Sequence, residues 1–303
     1  MTQLDAVVLQ PFGGPERSED VVPVLDNVLR GRGVPESRKL EVAEHYRELG
    51  GTSPANACNR RFSAHVEAEL RRRGRPLRLF LGNRNWHPLL PDTLAQMRDC
   101  GVGNAAVFVT SAFSSYSGCR QYQGDRERAT ATVDDAPALL PTAKFFNHPG
   151  FIEANADQVR AAIASLPPGP IPTLVCTAHS IPCVMADSSP YVEQLRTTAR
   201  LLAEAVGLAP APLAWQSLSG PPDQPWLEPD VCDHVDTLAA QGCDRIVVAP
   251  IGFLTDHVEV LFDLDDELRA HCELRKITMA RANTAGTHPA MIRLTADLIE
   301  EAA

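Results

Sequence analysis

An α/β protein of two halves, each built on a parallel sheet, is predicted by three observations. Short apolar runs read as strands buried on both faces, amphipathic stretches long enough for helices lie between them, and the two kinds alternate. In the first half, residues 6–9, 77–81 and 105–110 are the strand runs, and 63–73 and 91–99 are helical. In the second half, residues 174–178, 213–216, 246–251 and 277–280 take the strand role, and 191–206 forms a long amphipathic helix. Strands alternating with helices imply parallel pairing through right-handed crossovers. The turn-rich Asn147-His148-Pro149-Gly150 marks the expected boundary, giving domains 1–150 and 151–303, and Pro167-Pro168-Gly169-Pro170 is a turn within the second. No internal sequence repeat accompanies the two halves.

Composition narrows the class. The 303 residues, 44% of them hydrophobic, can supply two cores of ordinary size. Acidic residues outnumber basic ones 38 to 28, for a formal net charge of -10, which argues against a nucleic-acid partner. Lysine occurs only at Lys39, Lys144 and Lys276, so isolated basic positions are mostly arginine, suited to bidentate anion binding. No run approaches the roughly 18 to 20 apolar residues that cross a bilayer, so no integral membrane association is expected. The start, Met1-Thr2-Gln3-Leu4-Asp5, lacks the positive region of a secretory signal, and a cytoplasmic location is expected. None of the eight cysteines forms a Cys-x-x-Cys pair, and they are expected to be reduced.

The densest chemistry lies in Asp256-His257-Val258-Glu259-Val260-Leu261-Phe262-Asp263-Leu264-Asp265-Asp266-Glu267. If the segment from Val258 is helical, Glu259, Asp263 and Glu267 stand at i, i+4 and i+8 and share one face. Like charges so placed repel by about 0.2–0.5 kcal/mol per pair, and no Lys or Arg lies between Val258 and Glu267 to offset them. A solvated acidic face is one reading of such a run. A ladder that receives cations is the other, favoured by position: the run directly follows the strand 246–251, and open α/β sheets bind ligands beyond the carboxyl ends of strands. His179 stands at the exit of 174–178 in the same way, followed by a turn at Ile181-Pro182. Asp265 and Asp266 are expected to face elsewhere, into solvent, and His257 to orient Glu259 or cap the helix start.

Several motifs resemble the ferrochelatase family, and its actinobacterial branch most closely. They are Ala178-His179-Ser180-Ile181-Pro182 with Tyr191 and Gln194, Gln216-Ser217 with Ser219-Gly220-Pro221-Pro222, Trp226-Leu227-Glu228-Pro229, and Pro250-Ile251-Gly252-Phe253 with Asp256-His257-Val258-Glu259. The first half agrees through Phe12-Gly13-Gly14-Pro15, Tyr46 with Gly50-Gly51-Thr52-Ser53-Pro54, Gly82-Asn83-Arg84-Asn85-Trp86-His87-Pro88, and the run from Ser111 to Cys119. The resemblance implies a chelatase fold of two similar Rossmann-like domains with a cleft between them. It implies insertion of Fe(II), as substrate metal, into a free-base porphyrin in haem biosynthesis, with coproporphyrin III the expected macrocycle.

The same resemblance places His179 and Glu259 together as catalytic residues and metal holders. Asp263 and Glu267 then form the outer part of a metal relay. An imidazole whose ordinary pKa is near 6.5 can accept a pyrrole proton at physiological pH, and Fe(II) accepts nitrogen and carboxylate ligands. Phe12, Trp86 and Tyr116 are implied walls for the macrocycle. Arg30, Arg32, Tyr46, Ser53, Arg84, Ser114 and Ser117 are implied holders of its propionates, although surface solvation or a turn role fits any one of them alone. Phe12 stands where some relatives have tyrosine, and a phenyl ring cannot ligate metal.

Three departures from the family pattern stand out. Actinobacterial relatives commonly bind a two-iron two-sulfur cluster through one cysteine in a Ser-Gly-Cys-Arg segment and three near the C-terminus. Cys119 matches the first, but no cysteine follows Cys272, so no iron-sulfur cluster is expected. Leu218 stands where arginine is frequent, and Gln10-Pro11 replaces an apolar-Ser pair. A specialised chelatase-fold paralogue for another tetrapyrrole or metal is therefore a second reading, and a non-enzymatic porphyrin-binding protein a third. The His179 and Glu259 pair favours an enzyme over a carrier. A monomer is expected.

Overall fold

The computed structural model describes residues 3–31, 35–209, 212–219 and 224–303, without the side chains of 116–118. In chain order the first half contains β1 (Ala6–Gln10), α1 (Val21–Leu29), α2 (Glu36–Glu48), α3 (Ala55–Arg72), β2 (Arg78–Leu81), α4 (Leu90–Asp99), β3 (Asn104–Val109), a π-helical turn Tyr116–Gln121, α5 (Tyr122–Thr132) and β4 (Ala138–Pro141). The second contains α6 (Pro149–Ser165), β5 (Thr173–His179), α7 (Cys183–Asp187), α8 (Tyr191–Val206), β6 (Leu213–Gln216), α9 (Val231–Ala240) and β7 (Arg245–Ala249). There follow α10 (Val258–Val260), a π-helical turn Leu261–Glu267, α11 (Leu268–Arg275), β8 (Thr278–Arg281) and α12 (Pro289–Glu301).

Every strand pairing is parallel, and the two sheets repeat one order: β2-β1-β3-β4 and β6-β5-β7-β8. The predicted α/β class and all seven predicted strands are present. The eighth, β4, is a short edge strand, half exposed and ending in Pro141, and its sequence lacks the continuous apolar character that marks the others. The central strands β1, β3, β5 and β7 are almost wholly buried, because helices cover both faces of a parallel sheet.

The chain forms two compact units whose limits differ from a single cut at 150/151. The first unit holds residues 1–110, 120–143 and 292–303, and the second holds 111–119 and 144–291. Asn147-His148-Pro149-Gly150 is the start of α6 and no linker: the His148 ring accepts a hydrogen bond from the Gly150 N–H at 3.0 Å, and proline fills the first helical turn. Residues 111–119 belong to the second unit through Phe113, which packs edge-on against Phe151 and Tyr191. The C-terminal helix returns to the first unit, where Arg73 reaches Asp297 at 2.6 Å and Glu300 at 3.0 Å. Among the described residues no helix is long and apolar enough to cross a membrane.

In the second unit the core brings together Val175 on β5, Ala214 on β6, Ile246 and Val248 on β7, Val235 on α9, and Val260, Leu264 and Leu268. Those last three recur every fourth residue, and each buried aliphatic contributes about 1.5–3 kcal/mol. Their burial sets the rotation of the whole helical segment.

Candidate functional site

The strand order β6-β5-β7-β8 puts the topological switch between β5 and β7, where connections leave in opposite directions and ligands of open α/β sheets bind. His179 is the last residue of β5, and the loop after β7 leads to Glu259. Gly252 lets these exits approach. Its N–H donates to the Thr177 carbonyl at 3.1 Å, and a Cβ at this position would lie 2.6 Å from the Ala178 Cβ and 2.7 Å from its Cα. A side chain at 252 would therefore push on the residue next to His179.

The His179 ring is held at both ends. Its Nδ1 hydrogen-bonds the Ser180 carbonyl, which requires the proton on Nδ1 and leaves Nε2 with a lone pair in the neutral ring. Nε2 faces Oε2 of Glu259 at 3.6 Å, and both side chains remain partly exposed. The Tyr191 hydroxyl donates to the His179 carbonyl at 3.0 Å and fixes the backbone at the strand end. Two lone-pair donors thus face one another across a gap that suits a proton or a metal cation.

Burial of Val260, Leu264 and Leu268 places Glu259, Asp263 and Glu267, each one residue earlier, along the adjoining edge of the helix. In an α-helix four residues overshoot a full turn by roughly 40°, so a ladder of three would drift off its line. The wider π-helical turn Leu261–Glu267 counters that drift, and π-turns concentrate at functional sites. The spacing predicted from sequence holds, but the helix type does not.

The three carboxylates have different surroundings. Glu259 is partly exposed and Glu267 exposed, whereas Asp263 is buried and accepts hydrogen bonds from the Ser217 hydroxyl and, at 3.3 Å, from Gln216 Nε2. Burial pushes the Asp263 carboxyl up to about 7 against the pull of the Ser217 bond, with the Glu259 and Glu267 charges adding to the rise. Ser217 holds a left-handed backbone, φ 60°, at the exit of β6. Sequence reasoning missed Ser217 and Gln216 as partners of the ladder, because they lie 46 and 47 residues before Asp263. Among the described residues no three His, Cys, Asp or Glu side chains converge on a metal site. His179, Glu259, Asp263 and Glu267 accordingly do not form one such cluster.

Asp265 corrects an expectation. It is not simply solvated: its carboxylate takes Nε and Nη2 of Arg281 at 2.8 and 2.7 Å, while Asp266 is exposed as expected. His257 packs edge-on against Phe253 with centroids 4.9 Å apart, and burial lowers its pKa, which suits a supporting role.

In the first unit, Phe12 is 44% exposed on the loop after β1, beside the second switch point. Trp86 is partly buried and stacks edge-on with His87, and Arg30 is exposed at the end of α1, donating to Asn27. Tyr46 packs against the small core of Val21, Leu25 and Ala43. Ser53 is buried against Gly14, where its hydroxyl accepts the Ala55 N–H. Arg84, an expected propionate holder, has partners of its own. Its guanidinium is committed to Asp125 at 3.0 Å and to Gln121 at 2.8 Å, with Tyr122 beneath it. Ser114, in the second unit, exchanges hydrogen bonds with Gln194 at 2.7 and 3.2 Å. Arg32 and the side chains of Tyr116 and Ser117 lie outside the described residues.

All eight cysteines are free. Cys232, Cys243 and Cys272 share the apolar core of the second unit, and burial pushes the Cys232 thiol up to about 12 and Cys272 to about 11.

Solved structures define the class. SirB from Bacillus subtilis with Fe3+ superposes with a TM-score of 0.63 at 12% identity, covering 99% of this chain and 96% of that one. CbiX, the terminal enzyme for biosynthesis of siroheme in denitrifying bacteria, gives 0.54 at 14% identity over 98% and 99%. The fold is that of the chelatases, with two similar Rossmann-like halves. The Ferrochelatase family model matches residues 4–303. The protein named coproporphyrin III ferrochelatase of Nocardia farcinica is 49% identical over 98% of this chain and 88% of its own length. Its namesake from Mycobacterium ulcerans is 50% identical over 99% and 87%, and the ferrochelatase of Rhodopirellula baltica 47% over 98% and 86%. This chain belongs to the ferrochelatase family.

Proposed function

We propose that this protein inserts Fe(II) into coproporphyrin III in haem biosynthesis, with His179 and Glu259 as its catalytic residues. The observation that carries this reading is the opposition of His179 Nε2 and Glu259 Oε2 at 3.6 Å, at the β5/β7 switch, in a chain nearly half identical to proteins named coproporphyrin III ferrochelatase. Metallation exchanges two pyrrole protons for one divalent cation. The bare Nε2 lone pair of His179 accepts the two pyrrole protons in turn, and the Glu259 carboxylate passes each outward to water as the cation enters. Fe(II) is delivered along Glu267 and Asp263, an exposed carboxylate leading to a buried one.

Phe12, Trp86 and Tyr116 serve the macrocycle's apolar faces, and Arg30, Arg32, Tyr46, Ser53, Ser114 and Ser117 its polar rim, on the strength of the family resemblance. Arg84 belongs to that set as well: Asp125, 3.0 Å from it, is shared with Arg128, so one carboxylate faces two arginines. The protein works as a cytoplasmic monomer without an iron-sulfur cluster. Anaerobically purified protein should accordingly contain no acid-labile sulfide, and a stoichiometric amount would overturn that assignment.

The substrate is tested by single-turnover competition between coproporphyrin III and protoporphyrin IX with Fe(II). Four propionates against two offer additional charge-assisted bonds, each of about 1.5–3 kcal/mol, so coproporphyrin should win by about tenfold or more. A clear preference for protoporphyrin IX would refute the assignment. Failure with both porphyrins, but insertion into another tetrapyrrole, would favour the specialised paralogue.

A further inference from the structure

The twelve residues from Asp256 to Glu267 carry six carboxylates and no lysine or arginine. Two of the six are withdrawn from the set by one residue that lies outside it. Arg281, the last residue of β8, has a side chain only 9% exposed. Its Nε and Nη2 grip Asp265 in a bidentate pair at 2.8 and 2.7 Å, and its Nη1 and Nη2 reach Asp256 at 3.3 and 3.4 Å. A further bond from Nη1 to the Ala282 carbonyl at 3.3 Å fixes the guanidinium on the strand. The strand in turn is registered on β7, with Val248 opposite Arg281 and the Ala282 N–H on the Val248 carbonyl at 2.8 Å.

Asp256 lies three residues before Glu259 and Asp265 six residues after it, the latter within the π-helical turn. Arg281 therefore spans the segment that carries Glu259 and ties both of its ends to the sheet edge. Arginine suits this task because its planar fork binds two carboxylates at once, and a burial of this depth demands that both charges be paired.

We propose that Arg281 is a positioning residue for metal insertion: by clamping Asp256 and Asp265 it fixes Glu259 opposite His179 and keeps those two carboxylates from competing for the incoming cation. The inference rests on the function proposed above and deepens it. Loss of the clamp has two separable consequences. Glu259 loses its fixed placement, which slows the chemical step. Asp256 becomes a free anionic ligand near the ladder and Asp265 keeps only the longer pair with Arg269 at 3.5 Å, which tightens ground-state metal binding without helping turnover.

The test measures Zn(II) and Fe(II) insertion by Arg281→Gln and Arg281→Lys, with folded fractions from circular dichroism and the wild type beside them. For Arg281→Gln, kcat should fall about tenfold or more and the KM for metal should fall by about threefold, since misplacement by an ångström alone can cost about a hundredfold. Arg281→Lys keeps the charge but not the fork, so kcat should fall while KM stays near that of the wild type. A purely structural role would lower the maximal rate in proportion to the folded fraction and leave KM unchanged, and that result overturns the inference. Should Arg281→Gln fail to fold, the triple variant Arg281→Gln/Asp256→Asn/Asp265→Asn removes the unpaired charges: wild-type kcat there would refute the clamp, and low kcat with wild-type KM would support it. A wild type that inserts no metal sinks the proposed function itself, whereas active wild type with indifferent Arg281 variants sinks only this inference.

Discussion

At the residue scale, Asp263 shows how burial and charge divide the roles of similar side chains. Glu259 and Glu267 reach water, but Asp263 is enclosed, and burial pushes its carboxyl up to about 7, well above the ordinary carboxylate range, against the pull of the Ser217 hydrogen bond. Because its folded pKa is raised, the stability associated with its protonated form is complete below about pH 4 and is lost as pH rises through about 7. Asp263→Asn, which mimics the protonated acid, should remove this loss, so that chemical denaturation at pH 5 and pH 8 shows a smaller pH dependence than in the wild type. An unaltered dependence would show that Asp263 is ionised throughout. The sequence made the acid visible but not its surroundings. Its partners Ser217 and Gln216 arrive from β6, and the pairing of Arg281 with Asp265 arrives from β8; neither partnership leaves a local pattern.

At the element scale, four-residue periodicity announced the ladder while hiding the kind of helix that bears it. Glu259, Asp263 and Glu267 repeat with Val260, Leu264 and Leu268 in either an α or a mixed α/π helix, and only tertiary packing against β5, β6 and β7 decides between them. The segment starting at Asn147, read from its turn residues as a boundary, lies a few residues after the start of the second unit's main body at Lys144 and leads into α6, because proline and glycine punctuate helix starts as well as turns. Gly252 gives an element-scale prediction. Gly252→Ala forces a Cβ against Ala178, so stability should fall by about 1–3 kcal/mol and metal insertion should drop with it, because the displaced backbone carries His179. Wild-type denaturation and turnover would mean that the β5 and β7 exits need not approach so closely.

At the scale of the whole molecule, one sheet order occurs twice without any visible sequence repeat. Apolar periodicity, crossover handedness and helix coverage can generate the same topology from unrelated residues, so the α/β class was legible where the internal kinship was not. The exchange of 111–119 and 292–303 between units was equally hidden, since it depends on Phe113 meeting Phe151 and on Arg73 meeting Asp297. The site was legible through the histidine and acidic motifs that follow β5 and β7, and their adjacency follows from the parallel pairing of those two strands.

The central claim is that His179 accepts the macrocycle's proton while Glu259 faces it, and anaerobic Fe(II) insertion into coproporphyrin III by wild type and His179→Ala tests it most directly. Wild type should form the iron porphyrin, and His179→Ala should lose insertion while binding free-base porphyrin within about tenfold of the wild-type affinity, because apolar burial of the macrocycle supplies most of that affinity. Substantial turnover by His179→Ala, with porphyrin bound and the fold intact, would contradict the account.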